Sequence, residues 1–219
     1  MRQDALLLGV DTCGAVGSIA WGRVGEGGIA LVGERVLAGG EFAAGLVPAI
    51  ADLLGGIGVG GLAGIVVVAG PGSFTGIRIG LAAVKGLAEA LNLPVVAVSR
   101  LALLAALAGT RCSVLDAHRG QFYFGLYPEV EAAREMLLTA GEINSMGGLT
   151  GRVAVCEETA AQLLEELCGE PELLRVAAPT SWDALRFSAA KWRAAEFADV
   201  ATLDGYYLRG ADAKLSSRK

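Results

Sequence analysis

Apolar runs and alternations divide this chain twice in the same way. Residues 5–11 (ALLLGVD) form a continuous apolar run closed by Asp11, the pattern of a strand buried on both faces. After a tight turn at Thr12–Gly14, AVGSIAWGRV (15–24) alternates, and GIALVGERVL (28–37) follows Gly25–Gly28, so three strands open the chain. FAAGLVPAIADLLGGIG (42–58) has helical spacing, and Pro48 predicts a helix start near Leu46 or Val47. LAGIVVVAG (62–70) predicts a fourth strand, residues 75–91 a second helix, and PVVAVS (94–99) a fifth strand.

From residue 100 the pattern starts again. RLALLAALAG predicts a helix, CSVLDA (112–117) a strand, and QFYFGLYPEV (121–130) a strand after the turn HRG. EAAREMLLT (131–139) reads equally as helix or strand, and GRVAVC (151–156) as a strand. ETAAQLLEELC (158–168) predicts a helix favoured by Glu157 and Glu158 at its positive end, and WDALRFSAAKWRAAEFA (182–198) a single amphipathic helix. The last feature is the short apolar DGYYLRG. Antiparallel strands followed by strand–helix alternation predict an α/β fold of mixed sheets covered by helices. GVDTCGAVGSIAW and VLDAHRGQFYFGLY are both strand–Asp–turn–strand units, an approximate repeat that predicts two lobes. The expected division is 1–100 and 101–200, with 201–219 returning to complete the first lobe.

Composition narrows the function classes. The 219 residues are 53% apolar and 19% charged, as in a folded chain, and no apolar run reaches the ~18–20 residues of a membrane span. Asp4 and Asp11 flank the first apolar run, which argues against a secretory signal and predicts a cytoplasmic protein. Cys13, Cys112, Cys156 and Cys168 are far apart and the chain has one histidine, His118, so neither a disulfide framework nor a Cys/His zinc site is expected. The net charge is −5, and Lys and Arg cluster only in the final AKLSSRK. A protein that grips nucleic acid alone would carry a basic stripe, so any RNA would be held chiefly by another subunit.

The 32 glycines concentrate interest on AGPGSFTG (69–76), between the fourth strand and the second helix. The stretch fails as a nucleophile elbow, because Pro71 and Thr75 stand where Ser73 needs glycines. It fails as a Walker loop, because Lys85 lies far down the helix. Gly70, Gly72 and Gly76 come close to a dinucleotide fingerprint, with Arg100 placed for an NADP 2′-phosphate, but the next strand lacks the acidic residue and the turn follows the fourth strand. Ser73 is the expected N-cap and Phe74 a packing anchor. Along the helix, Gly76, Gly80, Ala83, Gly86 and Ala90 form a small-residue stripe. Interior glycines cost about 1 kcal/mol each, which close packing against another helix, internal or on a partner, would offset. Asp11, Thr12, Gly14 and Asp116 sit in turns that could present N–H groups to phosphates, or could simply cap turns. His118 lacks the serine context of a triad and is expected to be an exposed turn residue.

GPGSFTGIRIGLAAVKGLA strongly resembles the hallmark of the TsaB (YeaZ) family. LLLGVDTCGAVGSIAW resembles its opening hairpin, LDAHRGQFYFGLY its second, and YYLR its C-terminal segment. The resemblance implies an actin-like (ASKHA) fold of two ribonuclease-H-like lobes. It implies a non-catalytic subunit needed for N6-threonylcarbamoylation of the adenosine beside the anticodon in tRNAs reading ANN codons. Such a subunit binds the catalytic TsaD, joins TsaE in a ternary complex, forms a homodimer alone, and meets tRNA only within the complex. No cofactor is implied for the chain itself, with ATP or ADP and Mg in the full complex. The expected interface is Leu46, Ile50, Gly72, Ser73, Phe74, Thr75, Gly76, Arg78, Gly80 and Ala83. Departures from the family pattern are Phe42-Ala43-Ala44, which make the first helix more apolar, Cys13 in the first hairpin and Gln121 in the second. The alternatives are an ATP-dependent phosphotransferase or ATPase using Asp11 and Asp116, and an NADP-binding Rossmann protein.

Overall fold

In the computed structural model, residues 5–146, 149, 151–168 and 171–208 are described. Strands β1 (Leu6–Asp11), β2 (Gly17–Gly25) and β3 (Gly28–Leu37) form an antiparallel meander. Helix α1 (Phe42–Ile57), strand β4 (Leu62–Val68), helix α2 (Phe74–Leu91), strand β5 (Val95–Val98) and helix α3 (Arg100–Ala108) follow. The second half runs β6 (Cys112–Asp116), β7 (Gln121–Leu126), β8 (Arg134–Thr139), α4 (Ala140–Ser145), β9 (Arg152–Val155), α5 (Glu158–Leu167), β10 (Glu172–Arg175), α6 (Ser181–Phe187) and α7 (Ala189–Arg193).

The two sheets have one topology. The first is ordered β3-β2-β1-β4-β5 and the second, read from its other edge, β8-β7-β6-β9-β10. In each, the central strand pairs antiparallel with the second and parallel with the fourth, as β1 does with β2 and β4, and β6 with β7 and β9. The central strands are buried over most of their length, which is why they read as continuous apolar runs.

Each half lends its last helix to the other. α1 and α2 cover one face of the first sheet, and α4 and α5 one face of the second. α3, which ends the first half, packs on β6, β7 and β9, placing Leu101 and Leu104 beside Leu115 and Ala154. α6, which follows the last strand of the second half, lies on β1, β2, β3 and β4, and touches α3. Gly9 makes room for it: a Cβ there would stand 2.6 Å from the Ser181 carbonyl oxygen. Trp192 of α7 and Leu203 are buried in the first core, and the Ala198 N–H donates to Val95 O. The chain therefore returns to the first lobe near Thr180, before residue 201; positions 209–219 of the expected C-terminal segment lie outside the described residues.

Other local expectations are adjusted by packing. α1 starts at Phe42 and carries Pro48 inside it. Pro48 and Ala44, whose carbonyl loses its N–H partner there, are both exposed, so water can take the place of the missing bond. The ambiguous 131–139 segment supplies strand β8. The single late helix is two, α6 and α7, parted at Ser188, whose hydroxyl donates to Leu185 O at 2.9 Å. Short α4 and β10 lack the apolar periodicity that would announce them. Among the described residues no helix is long and apolar enough to cross a membrane.

Candidate functional site

The β1–β2 turn is held by glycines from three segments. A Cβ on Gly72 would stand 2.3 Å from Cys13 O, one on Gly76 2.0 Å from Thr12 O, one on Gly80 2.3 Å from Thr12 Oγ1, and one on Gly39 1.9 Å from Ala15 O. Gly72 also has φ 156°, in the region that favours glycine. Hydrogen bonds stitch the contact: Ser73 N–H donates to Cys13 O at 2.8 Å, and Thr12 Oγ1 donates to Gly76 O at 2.7 Å. Cys13 Sγ donates to Val68 O at 3.1 Å.

The glycine motif is thus largely occupied by the chain's own backbone. Together with the mixed sheet this removes the Rossmann reading: the turn follows β4, and its glycines face a hairpin. Arg100, considered for a 2′-phosphate, is buried in an ion pair with Glu157, Nη1 to Oε1 3.0 Å. The small-residue stripe is also reassigned. Gly76 and Gly80 receive Thr12 of the same chain in place of a second helix, while Gly86 has nothing within 4 Å of its absent Cβ.

Between the lobes lies a cavity of about 500 Å³, lined by both aspartate hairpins, the Gly39–Gly40 segment, the start of α2, Arg100 and Glu157. Asp11 is buried, and its Oδ1 accepts the Cys13 N–H at 2.8 Å. Burial raises its pKa against the opposing pull of Arg100. Burial works against the charge on Arg100, but Glu157 and then Asp11 outweigh it and hold the guanidinium's pKa up. Burial, reinforced by Asp11, keeps the Cys13 thiol protonated. The second hairpin places His118, Arg119 and Gly120 consecutively at positive φ, with the His118 side chain 84% exposed and its Nδ1 3.3 Å from Asp116 Oδ2. Glu157 Oε2 accepts the Asp116 N–H at 2.8 Å. The structure brings Gly14 and Asp116 to one cleft, whereas Asp11 and Thr12 are buried and do not line it. Arg100 and Glu157, the charges joining its two sides, are 57 positions apart, and neither spacing nor motif announced their pairing. Among the described residues, no three His, Cys, Asp or Glu are grouped to hold a metal ion.

The second feature is the outer face of α1 and α2. Ser73 caps α2, its Oγ accepting the Gly76 N–H at 3.2 Å. Phe74 is 52% exposed, with Arg78 stacked 3.8 Å from its ring centre and Tyr207 at 5.4 Å, so it anchors a surface cluster and not the core. Thr75 and Arg78 are exposed, and Gly72 and Ala83 half-buried. Leu46, Ile50, Gly76 and Gly80 are buried within the single chain. α1 exposes Ala43, Ala44, Val47, Pro48 and Ala51, and the neighbouring α2 exposes Ala82, Gly86 and Ala90. Val47, Pro48, Ala51 and Ala82 were not among the expected interface residues, because apolar spacing alone does not say which side of a helix faces the sheet.

Residues 37–200 match the family model described as TsaD: tRNA N6-adenosine threonylcarbamoyltransferase. The Bacillus subtilis (strain 168) tRNA threonylcarbamoyladenosine biosynthesis protein TsaB is 50% identical over 70 residues, 30% of this chain and 31% of that one. A Pseudomonas aeruginosa crystal structure, described as an uncharacterized protein with similarity to peptidase YEAZ, is 27% identical with a TM-score of 0.76, covering 94% of this chain and 100% of that one. YeaZ from Pseudomonas aeruginosa, also 27% identical, has a TM-score of 0.74 over 93% of this chain and 100% of its own. With the duplicated sheets and the hairpin packed on its glycine turn, these matches establish that the chain belongs to the TsaB/YeaZ family, with the actin-like α/β fold its hairpins implied.

Proposed function

We propose that this chain is a non-catalytic subunit in tRNA threonylcarbamoyladenosine biosynthesis, acting by binding the TsaD transferase subunit through the outer face of α1 and α2. The tRNAs are those reading ANN codons, and the modified base is the adenosine beside the anticodon. TsaE joins in the ternary complex, the free chain pairs with itself through the same face, and tRNA is met only within the assembly. The observation carrying the reading is the exposed, nearly uncharged face from Ala43 to Ala51 and from Ala82 to Ala90. Small apolar side chains there let a partner's backbone approach closely, and Val47, 59% exposed, is the largest group on the α1 part. The cleft region supports the non-catalytic part, because two acidic groups there are engaged inside the chain: buried Asp11 with the Cys13 N–H, and half-buried Glu157 with Arg100 and the Asp116 N–H.

The test is co-purification with TsaD from the same organism. Val47→Asp should leave the isolated chain as stable as wild type, because the residue is exposed, yet lower the recovered complex at least tenfold. Undiminished complex would remove this face from the interface. The second reading, an actin-like ATP-dependent phosphotransferase or ATPase with Mg using Asp11 and Asp116, rests on the cavity lined by Asp116 and by Cys13, Gly14 and Ala15 of the first hairpin. A saturable thermal shift of the isolated chain with Mg-ATP would favour it.

A further inference from the structure

Arg100 is fixed by both lobes. It opens α3, and its backbone N–H donates to Gly70 O at 2.7 Å, tying it to the glycine turn. Its Nη1 reaches Glu157, whose other oxygen holds the Asp116 N–H of the second hairpin. Its Nη2 lies against the first hairpin, so close that a Cβ on Gly14 would stand 2.9 Å away. The side chain is 4% exposed. A charge buried this deeply persists only where opposite charges and hydrogen bonds compensate it. Here Glu157 comes from the second lobe and Asp11 acts from the first.

We propose that Arg100 is a built-in cation that fixes the spacing of the two aspartate hairpins without a nucleotide or metal ion. The Asp11 and Glu157 carboxylates would repel without a cation beside both, and the planar guanidinium supplies that charge with a directed Nη1 donor, while its buried Nε has no hydrogen-bond partner among the described residues. Lysine would supply the charge without the fork. The role does not depend on which subunit docks on α1 and α2.

Amide hydrogen exchange on the full chain tests this, reading residues 11–16 and 116–121 against β4 as internal reference. Arg100→Ala should speed exchange in both hairpins roughly tenfold or more while β4 stays protected. Millimolar methylguanidine should restore protection by refilling the site, and Arg100→Lys should restore it in part. Mg-ATP and Mg²⁺ alone should leave wild-type exchange unchanged. Unchanged hairpin exchange in Arg100→Ala would overturn the proposal, as would a uniform rise across the chain with no rescue. Added protection of the wild-type hairpins by Mg²⁺ or Mg-ATP would also overturn it, since the cleft would then need an external cation. If Arg100→Ala does not fold, Glu157→Gln keeps the shape and removes one charge. It should loosen both hairpins, and no change there would equally reject the role.

Discussion

Gly76→Ala and Gly86→Ala make the same chemical change in one helix and should move stability in opposite directions. At Gly86 the new methyl meets nothing within 4 Å, so the substitution gains about 1 kcal/mol of helix propensity. At Gly76 it would stand 2.0 Å from the carbonyl oxygen of Thr12, a residue 1% exposed. Backbone cannot swing aside as a side chain can, so the hairpin or the first turn of α2 must shift. That shift disturbs two hydrogen bonds, Ser73 N–H to Cys13 O and Thr12 Oγ1 to Gly76 O, at about 1 kcal/mol each. Overpacking adds about 1–3 kcal/mol, and the propensity gain returns at most about 1 kcal/mol. The net loss is therefore roughly 2–4 kcal/mol. Urea unfolding followed by tryptophan fluorescence and circular dichroism should show the Gly76→Ala midpoint lowered by about 1 M or more at unchanged slope, and that of Gly86→Ala raised. A Gly76→Ala protein as stable as wild type would mean that the glycine turn does not receive the hairpin this closely.

Further predictions test the phase and caps of the helices and the buried thiols. Leu46→Ala should cost about 2–5 kcal/mol, whereas exposed Val47→Ala should stay within about 0.5 kcal/mol in denaturant unfolding; the reverse order would put Leu46 on the outer face, where the sequence reading expected it. Ser73→Ala should lose about 1 kcal/mol through the broken N-cap, measured the same way, with no effect if the hydroxyl does not cap α2. Burial raises the Cys112 and Cys156 thiols to about 12 and about 11, so the folded chain holds these protons more tightly than the unfolded one. Their stabilisation is complete below the ordinary thiol value of about 8.5 and is lost as pH rises through the folded values, so the melting temperature should fall above pH ~9. In native protein, alkylation of Cys156 should be slow at pH 8 and accelerate toward pH ~11; rapid labelling at pH 8 would contradict the burial.

Much of the fold was legible because it rests on local chemistry. The central strands read as apolar runs since both their faces are covered, and two Asp-turn units announced two lobes of one topology. Ser73 read as an N-cap because a hydroxyl before a helix has few other uses. Local rules failed where packing could outweigh them: Pro48 predicted a late helix start, but burying Phe42 and Leu46 in the first core extends α1 through it, with the freed carbonyl of Ala44 on the wet side. The candidate site was half visible. Asp11 and Asp116 stood out at their turns, whereas Arg100 was read for a phosphate and Glu157 only as a helix-start charge, because an ion pair across 57 positions leaves no periodic trace.

By itself the sequence determined the element order of the first half, the repeat, the family and the importance of the 69–76 turn. Only the tertiary structure decided that α3 and α6 exchange lobes, that the turn's glycines receive Thr12 and Cys13, and that the exposed face of α1 runs through Val47 instead of Leu46. The physical reason is the same in each case. An apolar helix face, or an absent side chain, records that something must pack there, but which surface arrives is set by contacts distant along the chain.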